Sequence, residues 1–469
     1  MEAITFKKEI EIADNCRNCG MCRIDYLGSG KCHAAEEHFN FAHHPHGRLK
    51  IFKSLLSGDL PLTTETEKVL DSCTLCGKCN IQCYFQIEMT PGDVFAAKRK
   101  IFKERAVEET VIQWAEDETL RQLRTIVGDQ WAFNDPTILT SYSIFGSLSD
   151  EEKMPAYVVL PLDADETAAI IKLANRLEIG FLPISSGTNS SNLIKGDIIL
   201  IDMSRMKTLE INSEECWARV GAGIIAFDLQ QAALKQGLRF SIGEAAAGVC
   251  ANQVSTGIHS FFAYSKGLMA EHYYEAEVVT LEGEVVTIDS ESAPEIATRP
   301  QDQYQPKLPF ICTQLKIKLY PVSDDETVAF IPFREMSEGL KILQDISERR
   351  IGIGMGLVGI EVLAAFLSLT EEDAENVLDI MQHYLKINQV IMMMLTETEL
   401  SQLQDLYPDL TFLCRDTMQQ IIQGVPAITG PESMALIEDV MDEERPYDHL
   451  FGDMREYFLR QIKLSGDEV

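Results

Sequence analysis

Eight of the twelve cysteines in this 469-residue chain crowd its first 83 positions: Cys16, Cys19, Cys22, Cys32, Cys73, Cys76, Cys79 and Cys83. In CTLCGKCNIQC, from Cys73 to Cys83, two, two and three residues separate successive cysteines. This spacing suits a 4Fe-4S cube, because three thiolates on a tight loop each reach one iron and the fourth comes from farther away. Gly77 lets the loop turn closely around the inorganic sulfides. The group CRNCGMC, from Cys16 to Cys22, repeats the triplet with Gly20 at the matching place, and its fourth cysteine, Cys32, follows after nine intervening residues. Paired C-x2-C units also suit zinc. A tetrahedral zinc, however, takes four thiolates from two pairs, whereas triplets with a remote fourth match the cluster rule. The same rule suggests crossed ligation: Cys16, Cys19 and Cys22 join Cys83 on one cluster, and Cys73, Cys76 and Cys79 join Cys32 on the other. His33, His38, His43, His44 and His46 lie between the groups and are read as hydrogen-bonding neighbours that tune cluster potential, not as ligands. Cys216, Cys250, Cys312 and Cys414 lack spacing partners and are assigned to core packing.

These loops need a scaffold, and composition bounds what it is. With 73 acidic and 41 basic side chains the formal charge is −32, so phosphate backbones and anionic lipid are repelled at long range and neither nucleic acid nor a membrane surface is an expected partner. Hydrophobic residues make up 45% and charged residues 24%, an ordinary globular mixture with length for about three domains. The start, MEAITFKKEIEIAD, lacks the basic opening and apolar run of an export signal, so a cytoplasmic location with reduced thiols is expected. The apolar stretches from Gly352 and Val390 are interrupted by Glu361 or too short to span a bilayer, and both read as buried core.

From His43 to Cys83 the text HHPHGRLKIFKSLLSGDLPLTTETEKVLDSCTLCGKCNIQC resembles the ferredoxin part of glycolate oxidase iron-sulfur subunits and of the heterodisulfide reductase small subunit. Those are helical two-cluster ferredoxins with a Pro-x-Gly-Arg turn before the helix between the motifs, matched here by Pro45, His46, Gly47 and Arg48. The resemblance implies two 4Fe-4S clusters. Helical periodicity then predicts a double-helical connector from about Pro91 to Gly128.

Beyond it, AYVVLPL reads as a strand, DADETAAIIKLANRLE as a capped helix and IGFLPI as a second strand. The small-residue loop from Ser185 to Gly196 follows, then DIILIDMSRM and the strand-like WARVGAGI. A loop of Gly, Ser, Thr and Asn exposes backbone amides and short hydroxyls that can cradle a pyrophosphate, although a polar surface turn has the same composition. A second small-residue stretch, Ser241 to Gly267, leads into EAEVVTLEGEVVTI, a strand pair about a Glu282-Gly283 turn.

In this order the elements resemble the flavoprotein family of vanillyl-alcohol oxidase, p-cresol methylhydroxylase (PCMH) and the glycolate and D-lactate dehydrogenase flavoproteins, over roughly residues 119 to 322. Carried over, the resemblance makes Pro155 to Pro161 the opening strand and Val278 to Val286 the hairpin. It assigns FAD contact to Pro183, Ser185, Ser186, Gly187, Thr188, Asn189 and Ser190 in the first loop. In the second it assigns Ser255, Thr256, Gly257 and His259. Ile184, Ser185 and Ser186 replace the usual Arg-Gly-Gly, so the phosphate grip is expected to rely on amides and hydroxyls. No histidine stands at the tethering position, which implies noncovalent FAD. His259 and His272 are the histidines near the second loop; either could serve as a base, and an ordinary structural role is preferred for both.

From Asp324 the pattern runs strand, helix, strand, helix (TVAFIPF, MSEGLKILQDISERR, GLVGIEVLAAFL, EEDAENVLDIMQHYLKI), then VIMMML. In the family this place holds a cap over the flavin. The fold expected is therefore multidomain: an α-helical ferredoxin domain with connector (1–118), an α+β FAD-binding PCMH-type domain (119–322) and a partial α+β cap domain (323–469). The 2-hydroxy acid oxidising relatives carry a C-terminal His-x-Gly-Asp-Gly-Asn-x-His stretch, of which HLFGDM at His449 keeps only a fragment. Its absence favours an electron-transfer subunit, working with heterodisulfide reductase-like or flavoprotein partners, over a self-contained dehydrogenase of a small organic acid such as glycolate or D-lactate. A regulatory iron-sulfur protein with a vestigial flavin fold is a third class.

Overall fold

The structure, a computed structural model, describes residues 13, 16, 20–25, 30–81, 109–143, 154–187, 196–241, 245–251, 261–267, 272–289, 310–361, 364, 375–376 and 378–413. Two compact units divide the chain: Met1–Leu229 with Ala246–Gly257 and Ala270–Lys318, and Gln230–Ala245 with Ile258–Met269 and Leu319–Val469. Strands are numbered along the chain.

In the first unit the cysteine loops flank the helices His33–His38, Pro45–Ser57 and Thr64–Asp71. Pro45 opens the second of these at a position that needs no donor, and Gly58, at φ 81°, closes it. Thr63 and Thr66 form a reciprocal cap on the third. A four-stranded sheet follows, built from β1 (Ala132–Phe133), β2 (Tyr157–Val159), β3 (Phe181–Ile184) and β4 (Ile199–Asp202) in the order β1-β2-β4-β3, with β2 and β3 parallel to β4. The crossover helix Ala164–Arg176 starts where Asp163 accepts from the Glu166 amide at 2.9 Å, and it buries Ile170, Ile171 and Leu173.

A five-stranded antiparallel sheet takes β5 (Leu209–Asn212), β6 (Trp217–Gly221), β10 (Phe310–Lys318), β8 (Tyr273–Thr280) and β9 (Val285–Asp289) in that spatial order. The hairpin expected about Glu282-Gly283 is β8-β9, with Gly283 at φ 82° and Thr280 donating to the Glu284 carbonyl at 2.8 Å. The helical and sheet parts share one core, in which Phe41, Ile51, Leu55 and Val69 meet Ile138, Tyr142, Val158 and Leu200.

The expected connector is corrected in its second half. Residues 109–117 are not helical, and the helix begins only at Glu118, where Asp117 accepts from the Leu120 amide. Ile112 is instead fixed beside Thr63: its amide donates to the Leu62 carbonyl and its carbonyl accepts from Thr64, at 3.0 and 3.1 Å. Backbone pairing outweighs the weak helical periodicity. The first half, from Pro91, lies outside the described residues.

In the second unit β7 (Leu238–Arg239) pairs with β11 (Tyr320–Pro321), and β12 (Glu326–Phe333), β13 (Gly354–Gly359) and β14 (Gln389–Thr396) form an antiparallel sheet in the order β12-β14-β13. The helices Met336–Arg349 and Glu397–Leu406 accompany it, over a core that includes Ile331, Ile346, Met393 and Leu403. Arg239 and Glu326, each 2% exposed, pair through both guanidinium nitrogens at 3.2 and 2.6 Å. The strand expected over GLVGIEVLAAFL stops at Gly359, because its partner β14 begins opposite it at Gln389. Among the described residues no helix is long and apolar enough to cross a membrane.

Candidate cofactor sites

Cys32, Cys73, Cys76 and Cys79 line one cavity together with Arg48, Ser72 and Gly77. This is the foursome expected for one cluster: a triplet on one loop and the remote cysteine of the other group. Leu75 and Gly77, at φ 58° and 76°, turn the backbone so that the loop wraps the cavity, and Gly20 in the first loop has φ 80°. Burial and the neighbouring thiols Cys32, Cys73 and Cys76 push the Cys79 thiol up to about 12. Thiolates gathered at such a place call for cationic metal, so this donor set fits an iron-sulfur cluster. Among the described residues no three His, Cys, Asp or Glu side chains close on a point as a single-ion site would; these four stand around the wall of a cavity.

Cys16 and Cys22 border the apolar cluster of Leu49, Phe52, Cys73 and Cys79, so the two loops share one seat. Cys19 and Cys83 lie outside the described residues.

The Pro45-to-Arg48 turn explains how the loops are held. An added Cβ on Gly47 would lie 1.9 Å from the Phe41 carbonyl oxygen, so no side chain fits there. The adjoining Arg48, 1% exposed, sends Nη2 to Ser72 Oγ at 2.6 Å and Nε to the Val69 carbonyl at 3.3 Å. Its Nη1 stands 3.8 Å from Cys32 Sγ. One buried cation thus ties the remote cysteine to the helix end that launches the second triplet. His43 Nδ1 meets Ser72 Oγ at 2.9 Å and His46 Nδ1 lies 3.7 Å from Cys22 Sγ. Burial holds His43 down to about 2 and His46 well below its ordinary range, so both rings are neutral hydrogen-bonding groups.

The first small-residue loop leaves β3 at Ile184. Pro183 is still in the strand and exposed, Ser186 is buried, and Gly187 turns at φ 66°. Ser185 Oγ donates to the Ala222 carbonyl at 2.7 Å, and Ser186 Oγ accepts from the Gly248 amide at 3.1 Å. Gly248 lies within the second small-residue stretch, so the structure brings the two stretches together. A Cβ on Gly248 would meet Ser185 Oγ at 2.1 Å, and one on Gly223 would meet the Met203 carbonyl at 2.6 Å. Gly248 therefore lets the Ser185 side chain approach the second stretch, and Gly223 lets its backbone lie against that of Met203 and Ser204. Thr188, Asn189, Ser190, Ser255, Thr256, Gly257 and His259 lie outside the described residues. His272 is buried at the foot of β8.

Beside this loop opens a cavity of about 280 Å³, walled on one side by Arg23, Lys31, Cys32 and His44 and on the other by Ser185, Ser186, Ser204, Lys207 and Asp228. Burial, with Arg23 and His46 close by, keeps His44 neutral. Beneath it Asp202, fully buried at the end of β4, accepts from Tyr142 Oη at 2.5 Å and from the Ser204 amide at 2.9 Å; burial raises its carboxyl. Tyr142 stacks on Phe41 with centroids 4.6 Å apart, linking the cysteine-bearing helices to the sheet. Sequence reasoning missed Arg23 and Lys207, and named Arg48 without a contact to a cysteine. Only Arg48 carried a signal, as the end of the Pro-x-Gly-Arg turn.

Residues 12–87 match the family model of a 4Fe-4S dicluster domain, and residues 155–289 match that of an FAD binding domain. The chain is similar to D-lactate dehydrogenase of Archaeoglobus fulgidus, 22% identical over 42% of this chain and 46% of that one. Similarity to glycolate oxidase subunit GlcD of Bacillus subtilis is 23% over 43% of this chain and 44% of that one. D-2-hydroxyglutarate dehydrogenase of Pseudomonas putida is 29% identical over 28% of this chain and 14% of the relative. The chain thus spans less than half the length of these relatives. Among solved structures, alkyldihydroxyacetonephosphate synthase superposes with a TM-score of 0.52 at 14% identity, covering 64% of this chain and 61% of that one. p-Cresol methylhydroxylase gives 0.51 at 13% identity, covering 73% and 71%. Over the covered residues the chain shares the fold of these two enzymes, with the FAD-binding, PCMH-type α+β domain following the dicluster domain.

Proposed function

We propose that this chain, in which a 4Fe-4S dicluster domain precedes an FAD-binding domain, is an iron-sulfur flavoprotein oxidoreductase that passes electrons between FAD and two clusters as the electron-transfer subunit of a larger redox complex. FAD, held noncovalently, exchanges electrons in pairs or singly, and the clusters exchange them singly. One observation carries this reading: Cys32 lines both the four-thiol cavity and the cavity beside the Ser185–Ser186 loop. A single side chain therefore borders both cofactor places.

Cys73, Cys76, Cys79 and Cys32 would hold one cluster, and Cys16, Cys19, Cys22 and Cys83 the other. Arg48 orients Cys32 and stabilises added negative charge there. The amides of Ser185 to Ser190 and the amides and hydroxyls of Ser255 to Gly257, with His259, would hold FAD, and Cys73 and Cys79 rest against Leu49 and Phe52 in one apolar cluster. The three-domain division at residues 118 and 322 belongs to the same reading, as does a cytoplasmic site where the thiols stay reduced.

The second reading, a self-contained 2-hydroxy acid dehydrogenase, is favoured by the names of the similar proteins. Adding D-lactate, glycolate and D-2-hydroxyglutarate to the anaerobic protein separates the two. The subunit reading expects no bleaching of the oxidised flavin absorbance until copurifying redox subunits are present; rapid bleaching of the isolated chain would overturn it.

A further inference from the structure

In a chain of net charge −32 the cavity beside the Ser185 loop gathers Arg23, Lys31 and Lys207. Arg23, 6% exposed, lies with its guanidinium 5.1 Å from the Phe41 ring centre and donates to the Ser186 carbonyl. Lys207 has an exposed stem, but its Nζ turns inward to the Gly223 carbonyl at 2.6 Å. Burial around that ammonium pushes it down to about 8. Of the carboxylates around the cavity, Asp228 pairs with Lys31 at 2.5 Å and also faces Lys207, and Glu36 is exposed beside His33. Asp202 below is occupied by Tyr142 and Ser204. Meanwhile Ser185 spends its hydroxyl proton on the Ala222 carbonyl, so it is a poor donor to an anion.

We propose that the cysteine-loop segment completes the pyrophosphate site of the FAD-binding domain, with Arg23 and Lys207 as the cationic partners of the phosphates, so that FAD is held jointly by both domains. Arginine is suited to the task, because its planar fork binds phosphate oxygens in pairs and resists deprotonation when buried. Arg23 directly follows Cys22, so order in the first cysteine loop and FAD affinity are coupled. The inference rests on the FAD-binding reading of residues 155–289 and adds to it the source of the charge.

The test uses the anaerobic holoprotein, stripped of flavin and retitrated with FAD and with riboflavin, which lacks phosphates, while iron is counted. Arg23→Gln should weaken FAD roughly 10- to 100-fold, the worth of a charge-assisted hydrogen bond, and leave riboflavin affinity unchanged. Lys207→Gln, remote in sequence from the cysteines, should weaken FAD about tenfold with full iron, and it decides the matter should Arg23→Gln lose iron. FAD affinity within about twofold of wild type in Lys207→Gln and in any iron-replete Arg23→Gln, or an equal loss for riboflavin, overturns the shared site. A wild-type protein that binds no FAD overturns instead the reading beneath it.

Discussion

Gly47 and Arg48 show how a four-residue turn becomes a cofactor scaffold. The missing side chain at Gly47 admits the Phe41 carbonyl, and the adjoining guanidinium reaches Cys32, Val69 and Ser72 at once. Gly47→Ala should cost at least about 1–3 kcal/mol by overpacking and should appear as a lowered melting temperature with iron loss. Arg48→Met removes the buried positive charge beside Cys32, and a reduced cluster carries one more negative charge than an oxidised one. The potential of that cluster should fall while the other stays put, as a redox titration followed by electron paramagnetic resonance will read; equal potentials in variant and wild type would deny Arg48 its electrostatic part. The grouping of Cys32 with Cys73, Cys76 and Cys79 around one cavity was legible in the spacing, because a triplet on a tight loop imposes local geometry. Arg23 and Lys207 were not, because their value comes from a cavity assembled by distant segments.

Elements were readable where caps and alternation are local. Asp163 caps the helix Ala164–Arg176, and Gly283 turns the β8-β9 hairpin, as the sequence implies. The connector failed at residues 109–117 because pairing of Ile112 with Leu62 and Thr64 is nonlocal. The same contrast ranks two changes in the second unit. Thr396 and Glu399 cap the helix Glu397–Leu406 reciprocally, and Thr396→Ala should cost about 1 kcal/mol. Glu326→Ala leaves Arg239 charged and buried and should cost about 3–5 kcal/mol. Denaturant unfolding of the two variants will check the order; equal losses would mean that the buried pair is no more than a surface contact.

Taken whole, the first unit does not keep its cysteine-bearing helices apart from its sheet. Phe41, Ile51 and Leu55 share a core with Ile138, Tyr142 and Leu200, and Thr63 Oγ1 donates to Asp135 at 3.0 Å while meeting Thr137 Oγ1 at 3.1 Å. A fragment of residues 1–118 would expose that apolar face, so it should aggregate or fail to retain iron, as iron counting and gel filtration will show. This sharing was hidden from the sequence, where the two parts read as consecutive and separable. It also gives the proposed relay a fixed geometry, since Cys32 and the Ser185 loop border one cavity. The most direct measurement is the iron, zinc and flavin content of the anaerobically purified full chain: the relay predicts about eight irons and one FAD per chain, and zinc in place of iron, or a protein that refuses added FAD, would contradict it.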